Sequence, residues 1–406
     1  MLNKYSSWLY VLTVLFSSTS SSMYIIALTW ILYETSGNAF YSGLMVGIGF
    51  IPGLLVNLFS GVIIDRLNKK KIIIISLSIQ SLMILFLTIF IATNSLVVWT
   101  IITSHVIVQL LSSIIRPAMQ ALIVQTFSKK EYTKIIGIST SIGEIGWILG
   151  VSSTGFLFIF LDAVYIFLII LIISLLSLLS LSFIKSINVN SIQLEREKNS
   201  ILFDLKDGFN YLLKNKIILG LFGIGCVGQL VLHSNTGLLS VYTKTYLGKP
   251  SFIFGLLEAA LSTGAIVAGL IISWLFLKTK SFVPTISIGV VILGLSLLSF
   301  SRTIIFSFFG IFFLGFGTAL LRVITQSIQQ MITDSLYHGR MASYRMFINQ
   351  GSVVIGSPIL GLISETHGAN FAYMVLLIPT IIALIYAIVF LKQKSTQKLI
   401  SSVISR

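Results

Sequence analysis

The chain has 406 residues, of which 56% are hydrophobic and only 10% charged, with a formal net charge of +15. A soluble domain usually carries roughly 25% charged residues, so an ordinary soluble fold is excluded. The basic balance alone would suit a polyanion, but the cations sit in loops on one side of long apolar runs, which excludes nucleic acid as a partner and points to membrane topology.

Apolar runs long enough to cross about 30 Å of hydrocarbon as helices recur along the chain. Twelve spans are predicted, at about 8–33, 41–64, 72–92, 97–126, 135–158, 163–184, 217–242, 252–275, 283–301, 304–329, 342–363 and 370–391. The first follows only Lys4, is too long for a signal-peptide core and has no small-residue cleavage site after it, so it is read as a retained helix. Of the 27 Lys and Arg, only Lys244, Lys249 and Arg302 fall on the side opposite the termini, and Arg116, Arg322 and Arg345 fall within spans. The positive-inside rule then puts both termini in the cytoplasm and the chain in the cytoplasmic membrane, among lipid. Cys226, the single cysteine, lies in the seventh span, so no intramolecular disulfide can form.

Between the sixth and seventh spans runs the one long polar stretch, with Leu202, Leu205, Phe209 and Leu212 at helical spacing. It reads as a short amphipathic helix lying on the inner membrane surface. Shifting the first half by 206 residues places Arg116 on Arg322, Gln120 on Gln326, Lys134 on Arg340, Gly150 on Gly356 and Gly155 on Gly361. The expected architecture is therefore all-α and integral to the membrane, twelve transmembrane helices in two six-helix bundles related by a pseudo-twofold, with a site between the repeats. The expected divisions are an N-terminal bundle over 1–184, a cytoplasmic linker over 185–216, a C-terminal bundle over 217–391 and a basic cytoplasmic tail over 392–406.

The loop after the second span reads "GVIIDRLNKKK", residues 61–71. With the twelve spans and the 6+6 repeat, it resembles the major facilitator superfamily, whose loop between the second and third helices is G-x-x-x-D-[RK]-x-G-x-[RK]-[RK]. Gly61, Asp65, Arg66, Lys70 and Lys71 match, and Asn68 replaces the second glycine. Asn is the next most tolerant residue of a left-handed backbone, so the tight turn is expected to survive. The resemblance implies a gate latch at Asp65 and Arg66, closing the cytoplasmic side. It is one-sided, because the equivalent place in the second half has Ser273 for the acid and keeps Lys278 and Lys280.

In the fifth span, Gly137, Gly146, Gly150 and Gly155 fall at the spacing of the family's exporter motif, with Val151 and Thr154 at its Pro and one Gly position. Small residues so spaced let helices pack backbone to backbone, here expected at the interface between bundles. "DRLNKKKIIII", "LKDGFNYLLKNKII" and "YHGRMASYRMFIN" are similar to the macrolide-efflux and siderophore-exporter branch, with lysophospholipid flippases near by. The R-x-x-x-G pair that proton/drug antiporters carry in the fourth helix is absent from "HVIVQLLSSIIRPAMQ".

Ionisable groups within spans are expensive and mark function by default. The resemblance implies a cavity lined by the first, fourth, seventh and tenth spans. Candidate cargo-binding residues there are His105, Gln109 and Arg116, then Gln229, His233 and Asn235, then Arg322 and Gln326. His105, Gln109 and Arg116 share one helical face. The hydroxyl run "SSTSSSMY" from Ser17 suits a wet cavity wall. Carboxylates well inside spans are Glu144 and, near the outer end of the eighth, Glu258. Candidate proton carriers are Glu144 and His233.

No Walker loop and no Cys/His cluster is present, so neither an enzyme nor a resident cofactor or metal is expected. The resemblance implies a monomeric secondary exporter working by alternating access on a small-molecule cargo, with a coupling proton inferred from relatives. Two fixed cations, Arg116 and Arg322, favour an anionic or zwitterionic cargo such as a siderophore or metallophore. A macrolide or multidrug cargo, a lysolipid, and a non-transporting receptor or scaffold are the alternatives.

Overall fold

The computed structural model describes residues 2–66, 68–127, 131–184, 201–279, 283–334 and 337–392. Along 2–4, 57–66, 124–125, 132–134, 201–205, 273–279, 339 and 390–392 only the course of the backbone is described. Among the described residues thirteen α-helices follow one another: α1 Leu2–Ser36, α2 Ala39–Arg66, α3 Lys69–Ala92, α4 Val98–Thr126, α5 Tyr132–Leu157, α6 Ala163–Ser182, α7 Ile201–Lys214, α8 Lys216–Val241, α9 Ser251–Thr279, α10 Val283–Phe300, α11 Ile304–Ile332, α12 His338–His367 and α13 Ala369–Lys392. A π-helical turn, Tyr242–Tyr246, extends α8. All but α7 are long and apolar enough to cross a membrane, which gives the expected twelve spans. In hydrocarbon each backbone polar group needs a partner within its own segment, and helices supply one. The described residues contain no strand.

The chain forms two compact units. The first holds α1, α3–α6, most of α2 and the opening residues Pro250–Leu256 of α9. The second holds α7, α8, α10–α13, the rest of α9 and the piece Ser42–Gly47 of α2.

In the first unit α1 lies against α5 and α6, and α3 against α4 and α6. Tyr10, Leu77, Ile115, Leu122 and Leu181 meet in its core, where Tyr10 Oη donates to the Met119 carbonyl at 3.1 Å. The hydroxyl run of α1 is spent on this packing. Ser18 donates to Gly143 O at 2.6 Å and Ser20 to Ile170 O at 3.3 Å, while Thr19 and Ser22 bond carbonyls of their own helix. Of Ser20, Ser21 and Ser22 only Ser21 is exposed. The expected wet wall is narrowed rather than met in full: these four hydroxyls satisfy themselves on the preceding turn or across a close helix pair, and Ser21 is left outward.

In the second unit α8 packs on α11, α12 and α13, and α10 on α11 and α13. Leu221, Ile324, Ile288 and Ala387 share its core, and Ser234 and Ser357 tie α8 to α12 at 2.8 Å.

Helix α7 forms where the leucine spacing predicted it, yet it is docked on protein as well as amphipathic. Leu212, Met341, Ile218 and Phe222 make one buried cluster. Arg340 pairs with Asp207, and the Tyr211 and Tyr337 rings stack at 4.0 Å and 9°. Tyr211 Oη donates to Asp334 Oδ2 at 3.2 Å and accepts from the Asp334 amide at 3.2 Å. Phe209 and Leu213 remain exposed, so the helix keeps an apolar face outward. Leu202 and Leu205 lie outside the described side chains.

Candidate functional site

The loop motif is described only from Asn68 onward; the side chains of Gly61, Asp65 and Arg66 lie outside the described residues. Asn68 has φ −69° and ψ 108°, extended rather than left-handed, and its side chain accepts from the Lys71 amide at 3.1 Å. This corrects the expected turn. Asn is a strong N-cap, and starting α3 is what it does here. The ammonium of Lys70 donates to Ser182 O at 2.8 Å and Ile184 O at 2.7 Å. A cation at orphan carbonyls is favourable at a helix C-terminus, so Lys70 ties the start of α3 to the end of α6. The Lys71 side chain is exposed.

The four glycines of α5 divide by contact. A Cβ at Gly146 would lie 2.8 Å from Leu15 O of α1, and one at Gly150 would meet Ser22 Oγ and stand 2.5 Å from Thr19 O. Gly155 lies against Gly255 of the opening turn of α9, backbone on backbone. Gly137 has nothing within 4 Å. The expectation of one shared interface is met only in part: Gly155 meets a helix of the second sequence half, whereas Gly146 and Gly150 seat α1 within the first unit, and Gly137 has no described neighbour. Gly356, the repeat partner of Gly150, likewise faces α8 at Leu230.

On α4, His105 is 2% exposed, stacks on Tyr24 of α1 at 6.1 Å and 14°, and closes over Gly49 of α2. Its Nδ1 and the Tyr24 hydroxyl have no hydrogen-bond partner. Gln109, half-buried, also reaches Gly49, whereas Arg116 is exposed. The shared face therefore grades from a closed interior at His105 to an open position at Arg116. The exposed carboxylate of Glu144 on α5 lies in electrostatic range of the Arg116 guanidinium.

In the second unit Gln229 and His233 of α8 are half-buried, and His233 is engaged by its neighbours. Asn235 is fully buried and accepts at Oδ1 from the Tyr373 hydroxyl of α13 at 2.7 Å. It belongs to the helix packing as much as to any cargo surface. On α11 Arg322 is exposed and Gln326, one turn on, is half-buried. Two residues missed from sequence come to light here, Tyr24 and Tyr373, neither of which left a signal, while Glu258, named there only as a carboxylate in a span, proves to be buried.

Among the described residues no group of His, Cys, Asp or Glu is arranged to hold a metal ion. Arginines and amides, exposed or half-buried on α4, α8 and α11, can offer hydrogen bonds to an organic cargo.

The sequence matches the family model of the Major Facilitator Superfamily over residues 10–283 and 235–403. It is 22% identical over 370 residues to macrolide efflux protein A of Streptococcus pyogenes, covering 88% of this chain and 89% of that protein. Among solved structures it is similar to the nucleoside transporter NupG, with TM-score 0.77 and 15% identity over 97% of this chain and 100% of that one. A D-xylose–proton symporter superposes with TM-score 0.72 and 13% identity over 94% and 96% of the two chains.

Proposed function

The chain belongs to the Major Facilitator Superfamily and is a multi-pass membrane transporter of small molecules rather than an enzyme, and from that premise we propose that it exports an amphipathic, macrolide-like compound. The observation that carries this is the relationship to macrolide efflux protein A along nearly the whole chain. The glycine pattern of α5 supports export over uptake. The protein sits in the cytoplasmic membrane with both termini inside, a reading that the Lys and Arg distribution supports. It works as a monomer by alternating access, the two repeats of 1–184 and 217–391 moving about the site. Asp65 and Arg66 act as the cytoplasmic latch.

A proton gradient supplies the drive, with Glu144 and His233 as carriers read from sequence. A second cargo, a carboxylate-bearing metallophore, is favoured by the exposure of both Arg116 and Arg322. It stands second because Glu144 lies in electrostatic range of Arg116, which weakens the cationic argument. Gln109, Gln229 and Gln326 suit either cargo, since amides donate and accept. The test is drug accumulation in cells expressing the chain. Lowered accumulation of labelled erythromycin supports macrolide export, and accumulation equal to that of vector cells removes it.

A further inference from the structure

Glu258 stands in the second turn and a half of α9, 5% exposed, in the sequence "FGLLEAALSTG". Its Oε1 has no hydrogen-bond partner. Close by is the Tyr373 hydroxyl of α13, in electrostatic range of the carboxyl and already donating to Asn235 Oδ1 at 2.7 Å. Asn235 Nδ2, fully buried, is a second polar atom without a partner. An acceptor, a hydroxyl and an amide donor, contributed by α9, α13 and α8, are thus linked inside the second unit through Tyr373, which bonds Asn235 and feels the charge of Glu258. Buried polar groups are ordinarily satisfied, and two orphans around one carboxyl need a reason.

Among the described residues, burial, and no neighbouring charge, governs the surroundings of the Glu258 carboxyl. From α13 comes Tyr373, and edge-on to it at 5.4 Å is Tyr242, whose hydroxyl is shared with Ser307 at 3.0 Å. On the same π-helical turn Lys244 is exposed. From α8 the nearest titratable residue in sequence is His233, half-buried and two positions before Asn235. Against α11, Leu261 meets Gly315, and no ionisable side chain occurs between Ile304 and Leu321. An ionised carboxylate closed off in this way would be a buried charge with nothing to balance it, which apolar interiors do not tolerate.

We propose that Glu258 is a reversible proton-binding site, its carboxyl taking one proton from water to become neutral when enclosed beside Tyr373 and Asn235, and returning it when exposed. The site stands on its own geometry; its use in coupling rests on the proton drive proposed above. Intramembrane carboxyls of this kind mark proton relays in pumps and transporters.

The test is infrared difference spectroscopy of the full chain in lipid, stepped in pH, with Glu258→Gln and Tyr373→Phe alongside. The expected result is a protonated-carboxyl carbonyl band that disappears reversibly as pH rises, is lost in Glu258→Gln, and shifts in frequency in Tyr373→Phe. A band unchanged in Glu258→Gln, or one that persists through alkaline pH, would overturn the site. Coupling is read separately, from protonophore sensitivity of erythromycin transport in the wild-type chain. Insensitive transport with an intact Glu258 band would sink the proton drive and leave the site standing.

Discussion

Replacing Gly150 and Gly137 separately by Ala gives two changes of the same chemistry in one helix with opposite expected outcomes. At Gly137 a Cβ has nothing within 4 Å. Alanine there keeps the helical gain over glycine, stabilising by about 0.5–1 kcal/mol. At Gly150 the Cβ would stand 2.5 Å from Thr19 O and 3.2 Å from Met23 N, both backbone atoms of α1 that cannot rotate away. Helix α1 has to retreat, loosening the Ser18–Gly143 hydrogen bond and its contacts with α5. Overpacking of this kind costs about 1–3 kcal/mol, so the net after the helical gain is a loss of up to about 2.5 kcal/mol, centred on about 1 kcal/mol. Thermal unfolding in one detergent, by tryptophan fluorescence, should separate the two variants by several degrees, at roughly 2–4 °C per kcal/mol for units of this size. Equal melting temperatures, or a more stable Gly150→Ala, would refute the close packing of α1 on α5.

Lys70→Met removes two charge-assisted bonds to the end of α6 and should lower stability by roughly 1–2 kcal/mol, with Asn68→Ala costing about 1 kcal/mol through the lost cap; chemical unfolding of both variants checks this. The docking of α7 should fail in alkali. The Tyr337 pKa is raised by its hydrogen bond to Asp207, and then by burial, while that of Tyr211 is raised first by burial. A raised folded value means the contribution is fully present below the ordinary tyrosine range near ~10 and is lost above it. Amide exchange within 201–214 should therefore accelerate above that range, and Tyr211→Phe should accelerate it at neutral pH by removing the Asp334 bonds. Arg116→Ala should weaken transport of an anionic probe far more than of a neutral one; equal losses would make Arg116 a partner of Glu144 and nothing else. Asp65→Asn should slow turnover while leaving cargo binding largely intact, as measured by parallel binding and flux; unchanged flux would remove the latch.

The twelve spans were legible because hydrocarbon thickness writes itself into the length of apolar runs, and α7 because its leucines keep helical spacing. Its partners were not. Arg340 and Tyr337 lie more than a hundred residues away, and nothing local marks them as meeting Asp207 and Tyr211. Asn68 was misread because a motif position invites the conformation of the residue it usually holds, whereas the side chain itself favours capping. Composition showed that the serines of α1 were unsuited to lipid, but the partner helix, not the run, decides whether a hydroxyl meets water or a carbonyl. The face shared by His105, Gln109 and Arg116 followed from spacing; its gradient from buried to exposed depends on where α1 and α2 lie. Glu258 was visible as a carboxylate in a span. Its missing partner could be seen only once α8, α9 and α13 were assembled.

The most direct test of export uses everted membrane vesicles carrying the chain and energised acid-inside, with labelled erythromycin and a labelled carboxylate metallophore followed in parallel, with and without a protonophore. Protonophore-sensitive accumulation of erythromycin above that of vesicles lacking the chain is the predicted result. Accumulation of neither compound above the control would contradict export, and accumulation of the metallophore alone would return the cationic pair Arg116 and Arg322 to the centre of cargo recognition.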